Sequence, residues 1–166
     1  MSWRMARALG PTGKDGLLGE INASAPNRSK LSDGGIGDAR HAASVSDHNP
    51  CKCCRVVTAR DFTNDPAGGF DAHAFAEWLR ERVIAGEERV RYVISNRRIF
   101  SGRGQNHPAG LWRTYSGSNP HSKHVHVSVR HGASLYDDPR PWGWHPRATD
   151  ATSATTITPT TTGGTR

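Results

Sequence analysis

The feature that most constrains the fold is a short alternating stretch, 124-HVHVSV-129. Successive side chains of a β-strand point to opposite faces of the sheet. The three valines therefore share one face, which predicts contact with a hydrophobic core. His124 and His126 share the other face, where two imidazoles about 6–7 Å apart can address one small site. Taken alone, the pattern is also explained by an exposed polar face.

The rest of the chain predicts a small α+β domain. Only 34% of the residues are hydrophobic, and there are 18 glycines and 10 prolines, which favours a small core with many loops. Two helices and three strands are predicted, over 14–24, 71–86, 55–63, 89–100 and 124–129. Asp71 is the expected N-cap of the second helix and Gly86 its end. This order of elements predicts a small antiparallel sheet with flanking helices.

The 166 residues are enough for one domain, which we assign to residues 1–147. Nine threonines lie in the last 18 residues, 149–166, without apolar periodicity. We therefore predict that residues 148–166 form a Thr-rich disordered tail or linker.

The charge balance favours polyanionic partners. The formal net charge is +7, and 18 of the 22 basic residues are arginines. Nucleic acid, anionic lipid and anionic cell-wall polymers all fit such a surface, and a GC-rich genome also explains the arginines. No apolar run is long enough to predict a membrane span. The N-terminus has no hydrophobic signal region, so we expect the protein to be made in the cytoplasm and to stay there initially.

Two further residues suggest a metal site. His48 lies in the turn-rich segment 46-SDHNP-50, and Asp61 shares a predicted strand face with Val57. A carboxylate on such a face is costly unless it is paired or bound to a metal. His48, Asp61 and one histidine of the 124–129 strand supply three N, N, O ligands, as in catalytic zinc sites. Taken singly, His48 is also explained as a turn residue and Asp61 as the partner of an arginine.

Together these residues resemble a known family. The set Ser46-x-His48, Asp61 and His121-x-x-His124-x-His126 is similar to that of zinc peptidases with the Hedgehog/DD-peptidase fold. This family includes D-Ala-D-Ala carboxypeptidases, D,D-dipeptidases, murein endopeptidases and the L-Ala-D-Glu peptidase domains of phage endolysins. The stretches 26-PNRSKLSDGGIGDARH-41, 93-VISNRRIF-100 and 119-NPHSKHVHVSV-129 resemble endolysins from phages of actinobacteria. The resemblance extends over roughly residues 15–130.

The resemblance implies a catalytic site with one Zn²⁺. His48, Asp61 and His126 are the implied zinc ligands. His124 is the implied general base, or the group that stabilises the tetrahedral intermediate. His121 is an implied accessory catalytic residue, although a histidine after a proline in a loop also fits that position.

Two residues are implied to contact substrate. Ser46 is expected to touch the substrate or to support a metal ligand from behind. Arg28 is expected to hold a substrate carboxylate through a bidentate contact, a role that Arg97 or Arg98 can also fill. For each arginine, simple exposure to solvent is the alternative.

The segment between His48 and Asp61 holds twelve residues, more than is usual in the family, and includes 51-CKCC-54. We predict that the extra residues form a bulge that a loop can absorb. Cysteines so close together cannot form a long-range disulfide framework. We interpret them as partly exposed thiols, with zinc binding by the thiolates as the alternative.

The hypothesis that follows is a zinc metallopeptidase that cleaves the peptide part of bacterial peptidoglycan, as a phage endolysin does. The expected enzyme is a monomer that does not bind nucleic acid. It would wait in the host cytoplasm and reach the cell wall after holin release. One alternative is a virion-associated or degenerate wall-binding protein of the same fold. Another is a basic nucleic-acid-binding protein, although no nucleic-acid motif is present.

Overall fold

The computed structural model describes residues 2–37 and 46–146. Its strands are Arg4–Met5 (β1), Val56–Val57 (β2), Ala59–Thr63 (β3), Val90–Ser95 (β4), Arg98–Ser101 (β5), Arg113–Thr114 (β6) and His124–Val129 (β7). Its α-helices are Gly16–Ser24 (α1), Ala72–Ile84 (α2) and Ala133–Tyr136 (α3), and Arg7–Leu9 forms a 3-10 turn. These elements confirm the coarse α+β class.

The main sheet is antiparallel and has the strand order β3-β7-β4-β5-β6. Strand β7 therefore lies between β3 and β4. In the register of β3 and β7, Asp61 is opposite His126 and Thr63 is opposite His124. This register brings the aspartate of one predicted strand beside the two histidines of another. Separately, β1 and β2 pair in parallel.

Helix α2 covers one face of the sheet. Asp71 caps it by accepting hydrogen bonds from the backbone N–H groups of His73 and Ala74, as the sequence predicts. The helix packs against β4 and β7, and its buried apolar residues form one cluster with the three valines of β7. The valines thus face the core, as predicted, and His124 and His126 point to the opposite face of the sheet.

Two predicted strands are interrupted. The predicted strand 89–100 is a hairpin of β4 and β5, because Asn96 and Arg97 form a two-residue turn with φ values of 45° and 61°. Positive φ at both central positions is typical of the tight turns that match the twist of paired strands. The predicted strand 55–63 divides at Thr58, whose N–H donates to the carbonyl of Asp47. Strand β6 lies between the predicted strands 89–100 and 124–129, in a segment for which no helix or strand is predicted.

The domain continues to the end of the described residues. Trp142 and Trp144 are buried although no helix or strand contains them. Glu20 of α1 accepts hydrogen bonds from both tryptophan backbone N–H groups, at 2.7 and 2.8 Å. The predicted tail, 148–166, lies outside the described residues. Among those residues, no helix is long and apolar enough to cross a membrane.

Candidate metal centre

Three side chains from separate parts of the chain converge on the face of the sheet opposite α2. The Asp61 Oδ1 atom is 3.0 Å from His126 Nδ1 and 3.3 Å from His48 Nε2. His48 Nε2 and His126 Nδ1 are 3.1 Å apart. The predicted ligand set of His48, Asp61 and His126 is therefore assembled as a compact triangle of two nitrogens and one oxygen.

The size of this triangle suits a tetrahedral zinc ion. Zinc–nitrogen and zinc–oxygen bonds of about 2.0–2.1 Å at tetrahedral angles separate neighbouring ligand atoms by roughly 3.3 Å. The observed separations of 3.0, 3.1 and 3.3 Å lie close to that value. Two imidazoles and a carboxylate are also a donor set that zinc uses in catalytic sites. The residues present therefore fit a divalent metal.

The ring of His48 is oriented by the backbone of Gly35, thirteen residues earlier in the chain. Its Nδ1 is 2.5 Å from the carbonyl oxygen of Gly35, so that Nδ1 carries the proton and donates it. This leaves Nε2 facing Asp61, where it donates to the carboxylate when the ring is protonated and would offer its lone pair to a bound metal. Gly34 and Asp61 exchange two backbone hydrogen bonds, which anchor this loop to β3. Gly34 and Gly35 therefore hold His48 in a fixed position relative to Asp61.

The ring of His126 is oriented from behind by Ser128 and Asp47. The Ser128 hydroxyl donates to Asp47 Oδ2 at 2.8 Å, so it can only accept from His126 Nε2, which is 3.2 Å away. Nε2 therefore carries a proton, and Nδ1 faces the centre, where it would offer its lone pair to a bound metal. Tyr92 stacks on the His126 ring, with centroids 5.3 Å apart. Burial and the nearby Asp47 carboxylate raise the pKa of Tyr92 to about 12.

Asp47 is itself held by Arg91 and His131. Both of its oxygens accept hydrogen bonds from the Arg91 guanidinium, and His131 Nε2 lies 3.2 Å from Oδ1. Burial raises the pKa of Asp47, but Ser128, Arg91 and His131 together hold that pKa below its usual range. Neither Asp47 nor Ser128 was singled out from the sequence. The available signals were that Asp47 precedes His48, and that Ser128 follows His126 on the same strand face.

His121 and His124 lie on the other side of Asp61. The Nε2 atom of His124 is 3.8 Å from Asp61 Oδ2, and the ring centroids of His121 and His124 are 5.0 Å apart. His121 Nδ1 donates to the Asn119 carbonyl at 2.8 Å. Within residues 2–37 and 46–146, neither ring nitrogen of His124 has a hydrogen-bond partner, although both are buried. His124 is thus a sequestered imidazole with a free lone pair.

The charges of the centre favour a cation. Burial raises the pKa of Asp61, but hydrogen bonds from His126 and His48 hold that pKa well below its usual range. Burial also lowers the pKa of His48, yet Asp61 outweighs it and leaves the pKa of His48 raised. The metal-free site therefore stabilises a proton beside an ionised carboxylate, and a divalent metal can take the place of that proton.

The other two histidines are neutral at physiological pH. Burial, together with the nearby His126 and His124, lowers the pKa of His121 to about 4. Burial is also the main reason why the pKa of His124 is lowered. Both imidazoles therefore have lone pairs available to accept a proton or bind a metal.

A cavity of about 400 Å³ opens beside His124. Most of its exposed lining surface is apolar, and the residues that line it are Ser32, Asp33, Asn119, Pro120, Ser122, Lys123 and His124. Asp33 is neutralised by Arg28, whose guanidinium forms hydrogen bonds of 2.9 and 2.7 Å to it. Lys123 therefore supplies the net charge of this cavity.

Ser46 and Arg28, the two residues expected to contact substrate, both form hydrogen bonds within the protein. Ser46 Oγ accepts a hydrogen bond from the backbone N–H of His48 at 3.3 Å, which stabilises the turn that presents this ligand. Arg28 is only 3% exposed, and Asp33, Asn22 and the Ser29 carbonyl accept its N–H groups. Its guanidinium supports Asp33 in the cavity wall and is not presented to a substrate. The expectation for Arg28 therefore differs from what is found.

The cysteine cluster also differs from its prediction. Cys51 and Cys54 form a disulfide, and Cys53 is an exposed free thiol. The interpretation as partly exposed thiols is therefore wrong for Cys51 and Cys54. A tight turn, closed by the hydrogen bond from Arg55 N–H to the Cys51 carbonyl, brings their Cα atoms to 5.6 Å, a separation that disulfides favour. The predicted bulge between His48 and Asp61 is thus cross-linked.

No protein family, curated protein or solved structure matches the chain significantly. The chemistry of the site therefore rests on its own atoms: three converged ligand atoms, a buried imidazole with no hydrogen-bond partner among residues 2–37 and 46–146, and an adjacent cavity. The described part of the chain contains this whole arrangement.

Proposed function

We propose that the protein is a zinc peptidase that hydrolyses peptide bonds in the stem or cross-bridge of bacterial peptidoglycan. The observation that carries the proposal is the triangle of His48, Asp61 and His126, with His124 beside it, whose ring nitrogens have no hydrogen-bond partner among the described residues. A zinc ion held by the three ligands would polarise a peptide carbonyl and lower the pKa of a water molecule. The motif resemblance to Hedgehog/DD-peptidase-fold zinc peptidases supports the same reaction.

His124 acts as the general base in this proposal. None of the described residues forms a hydrogen bond with its ring nitrogens, and its lowered pKa keeps it neutral at pH 7, with one lone pair free. It can therefore accept a proton from the attacking water and return it to the amine that leaves. The Asp61 carboxylate, 3.8 Å away, stabilises the imidazolium that forms in between. His121 packs against His124 and holds it in the cavity wall.

The cavity suits a short, extended peptide that carries a carboxylate. Its serine and asparagine side chains can pair with a peptide backbone, and Lys123 can pair with an acidic group. Stem peptides of peptidoglycan carry free carboxylates. The net charge of +7 also favours approach to an anionic wall. We extend the proposal to a phage endolysin, which acts as a monomer on the wall once a holin has released it from the cytoplasm.

The test combines metal analysis with digestion of purified actinobacterial peptidoglycan, followed by mass spectrometry of the soluble products. We expect one zinc per chain, and new amino and carboxyl termini in the stem peptide or cross-bridge. His126→Ala should lose both the metal and the cleavage. His107→Ala, which removes an exposed histidine outside the ligand set, is the matched control and should keep both.

The alternative functions predict other outcomes. A folded, zinc-loaded protein that releases no peptide but sediments with peptidoglycan would be a wall-binding protein, and the peptidase proposal would fail. A protein that holds no zinc and binds nucleic acid with a steep salt dependence would instead support the nucleic-acid alternative.

A further inference from the structure

A second group of potential metal ligands shares Asp61 with the first. One ligand atom each from Asp61, His121 and His124 lies within 4.8 Å of the other two. The two oxygens of Asp61 face different partners, since Oδ1 contacts His48 and His126 whereas Oδ2 is 3.8 Å from His124 Nε2. A carboxylate in this position can bridge two cations.

The two histidines of this group have lone pairs to offer. The Nδ1–H group of His121 donates to the Asn119 carbonyl, which leaves the Nε2 lone pair free. Both ring nitrogens of His124 are buried without a partner in the described part of the chain. Buried polar nitrogens that lack a hydrogen bond are rare in folded proteins and call for an explanation. A ligand that binds between the two rings supplies one.

The backbone of His121 is held in a conformation that favours this arrangement. Its φ is 52°, in the left-handed region that residues with a Cβ atom rarely adopt. The side-chain oxygen of Asn119 accepts the His121 backbone N–H at 3.0 Å, and the Asn119 carbonyl accepts the ring. Such conformations persist where the surroundings enforce them, and they concentrate at ligand sites. Asn119 thus turns the His121 ring toward His124.

We propose that His121, His124 and Asp61 form a second, weaker site for a divalent transition metal, and that its occupation blocks the peptidase. This inference rests on the proposed function in one respect: a metal on His124 takes the lone pair that would accept the proton. The site is therefore inhibitory and makes the enzyme sensitive to excess zinc.

The geometry predicts the order of the two affinities. The ligand atoms of the first site are 3.0–3.3 Å apart, close to the spacing that zinc requires, whereas in the second site Asp61 Oδ2 and His124 Nε2 are 3.8 Å apart and must approach each other. The two cations would also repel each other across one shared carboxylate. We expect the second dissociation constant to be at least about tenfold higher than the first.

The experiment counts bound Co²⁺ by titration of metal-free protein, with absorption and electron paramagnetic resonance spectra at each step. All proteins carry Cys53→Ser, because Cys53 is an exposed free thiol that can itself bind cobalt. The test variant is His121→Asn, since asparagine tolerates positive φ, while its amide is a poorer ligand than imidazole for zinc and cobalt. His107→Asn is the matched control.

We expect two equivalents in the parent protein and in His107→Asn, with the second weaker, and one equivalent in His121→Asn. Binding of the second ion should weaken the resonance signal of the first, because Asp61 couples the two spins. Added zinc should abolish hydrolysis by the parent protein. The activity that His121→Asn retains should not fall further at the same zinc concentration.

Two results would overturn the proposal: a single equivalent in the parent protein at any cobalt concentration, or two equivalents in His121→Asn. The first equivalent retained by His121→Asn shows that the variant is folded. Failure of the peptidase proposal is distinguishable, because it appears as absent hydrolysis at one equivalent, whereas the count of bound ions does not depend on turnover.

Discussion

Removal of the Ser128 hydroxyl tests how the chain orients a metal ligand without touching the metal. Ser128 is fully buried and connects His126 Nε2, at 3.2 Å, with Asp47 Oδ2, at 2.8 Å. Ser128→Ala leaves the Nε2–H group of His126 without an acceptor. An unsatisfied buried donor costs about 1–3 kcal/mol, and loss of a residue that orients a ligand lowers metal affinity about 10–100-fold. We expect zinc affinity to fall within that range.

The assay is competition for zinc with a chromophoric chelator, and thermal unfolding of the metal-free protein is measured in parallel. Ser101→Ala is the matched control, because Ser101 is also a buried strand serine and accepts a hydrogen bond, from Arg113 at 3.0 Å. Both variants should lose some stability, but only Ser128→Ala should lose zinc affinity, and Ser128→Thr should recover it. Wild-type zinc affinity in a folded Ser128→Ala protein would refute the assigned orientation of His126.

Three further predictions follow from the same contacts. His126→Ala should abolish zinc binding, whereas His124→Ala should keep the zinc and lose turnover; zinc analysis and kcat measurement on both variants check this. Asp33→Asn should make the free energy of unfolding depend less on pH in the acid range, as measured by denaturant unfolding at several pH values. Although burial opposes it, hydrogen bonds from Arg28 and Thr63 hold the pKa of Asp33 below its unfolded value, so this stability is complete above that value and is lost as pH falls through the folded pKa. Leu79→Ala should lower the free energy of unfolding by about 2–5 kcal/mol, because it empties a fully buried position of α2.

Sequence reasoning succeeded where neighbours along the chain decide the outcome. The alternation in 124–129 identified the buried valines, and Asp71 identified the start of α2, because both signals act within a few residues. It failed for the hairpin of β4 and β5, since Asn96 and Arg97 lack the glycine that usually marks such a turn. Periodicity alone read this hairpin as one long strand.

For the candidate site, too, the sequence predicted what depends on single residues and missed the contacts between distant ones. The ligand types were visible in the sequence, but the contacts that orient them depend on residues far apart along the chain. Ser128 reaches Asp47, 81 positions away, and only the fold reveals that pair. Arg28 forms a salt bridge with Asp33 in the structure. The sequence did not predict this pair, because nothing in the local sequence states which of the 18 arginines is paired.

The contrast between the two histidines of β7 supports their proposed roles as ligand and as base. They lie two residues apart on one strand face, so the alternation alone treats them as equivalent. His126 is oriented by Ser128 behind it and directs Nδ1 at Asp61, whereas His124 has no hydrogen-bond partner among the described residues. A ligand must hold one orientation, and a base must keep a lone pair free for a moving proton. If His124→Ala lost the zinc and His126→Ala kept it, these two roles would be reversed, and the orientation supplied by Ser128 would need another purpose.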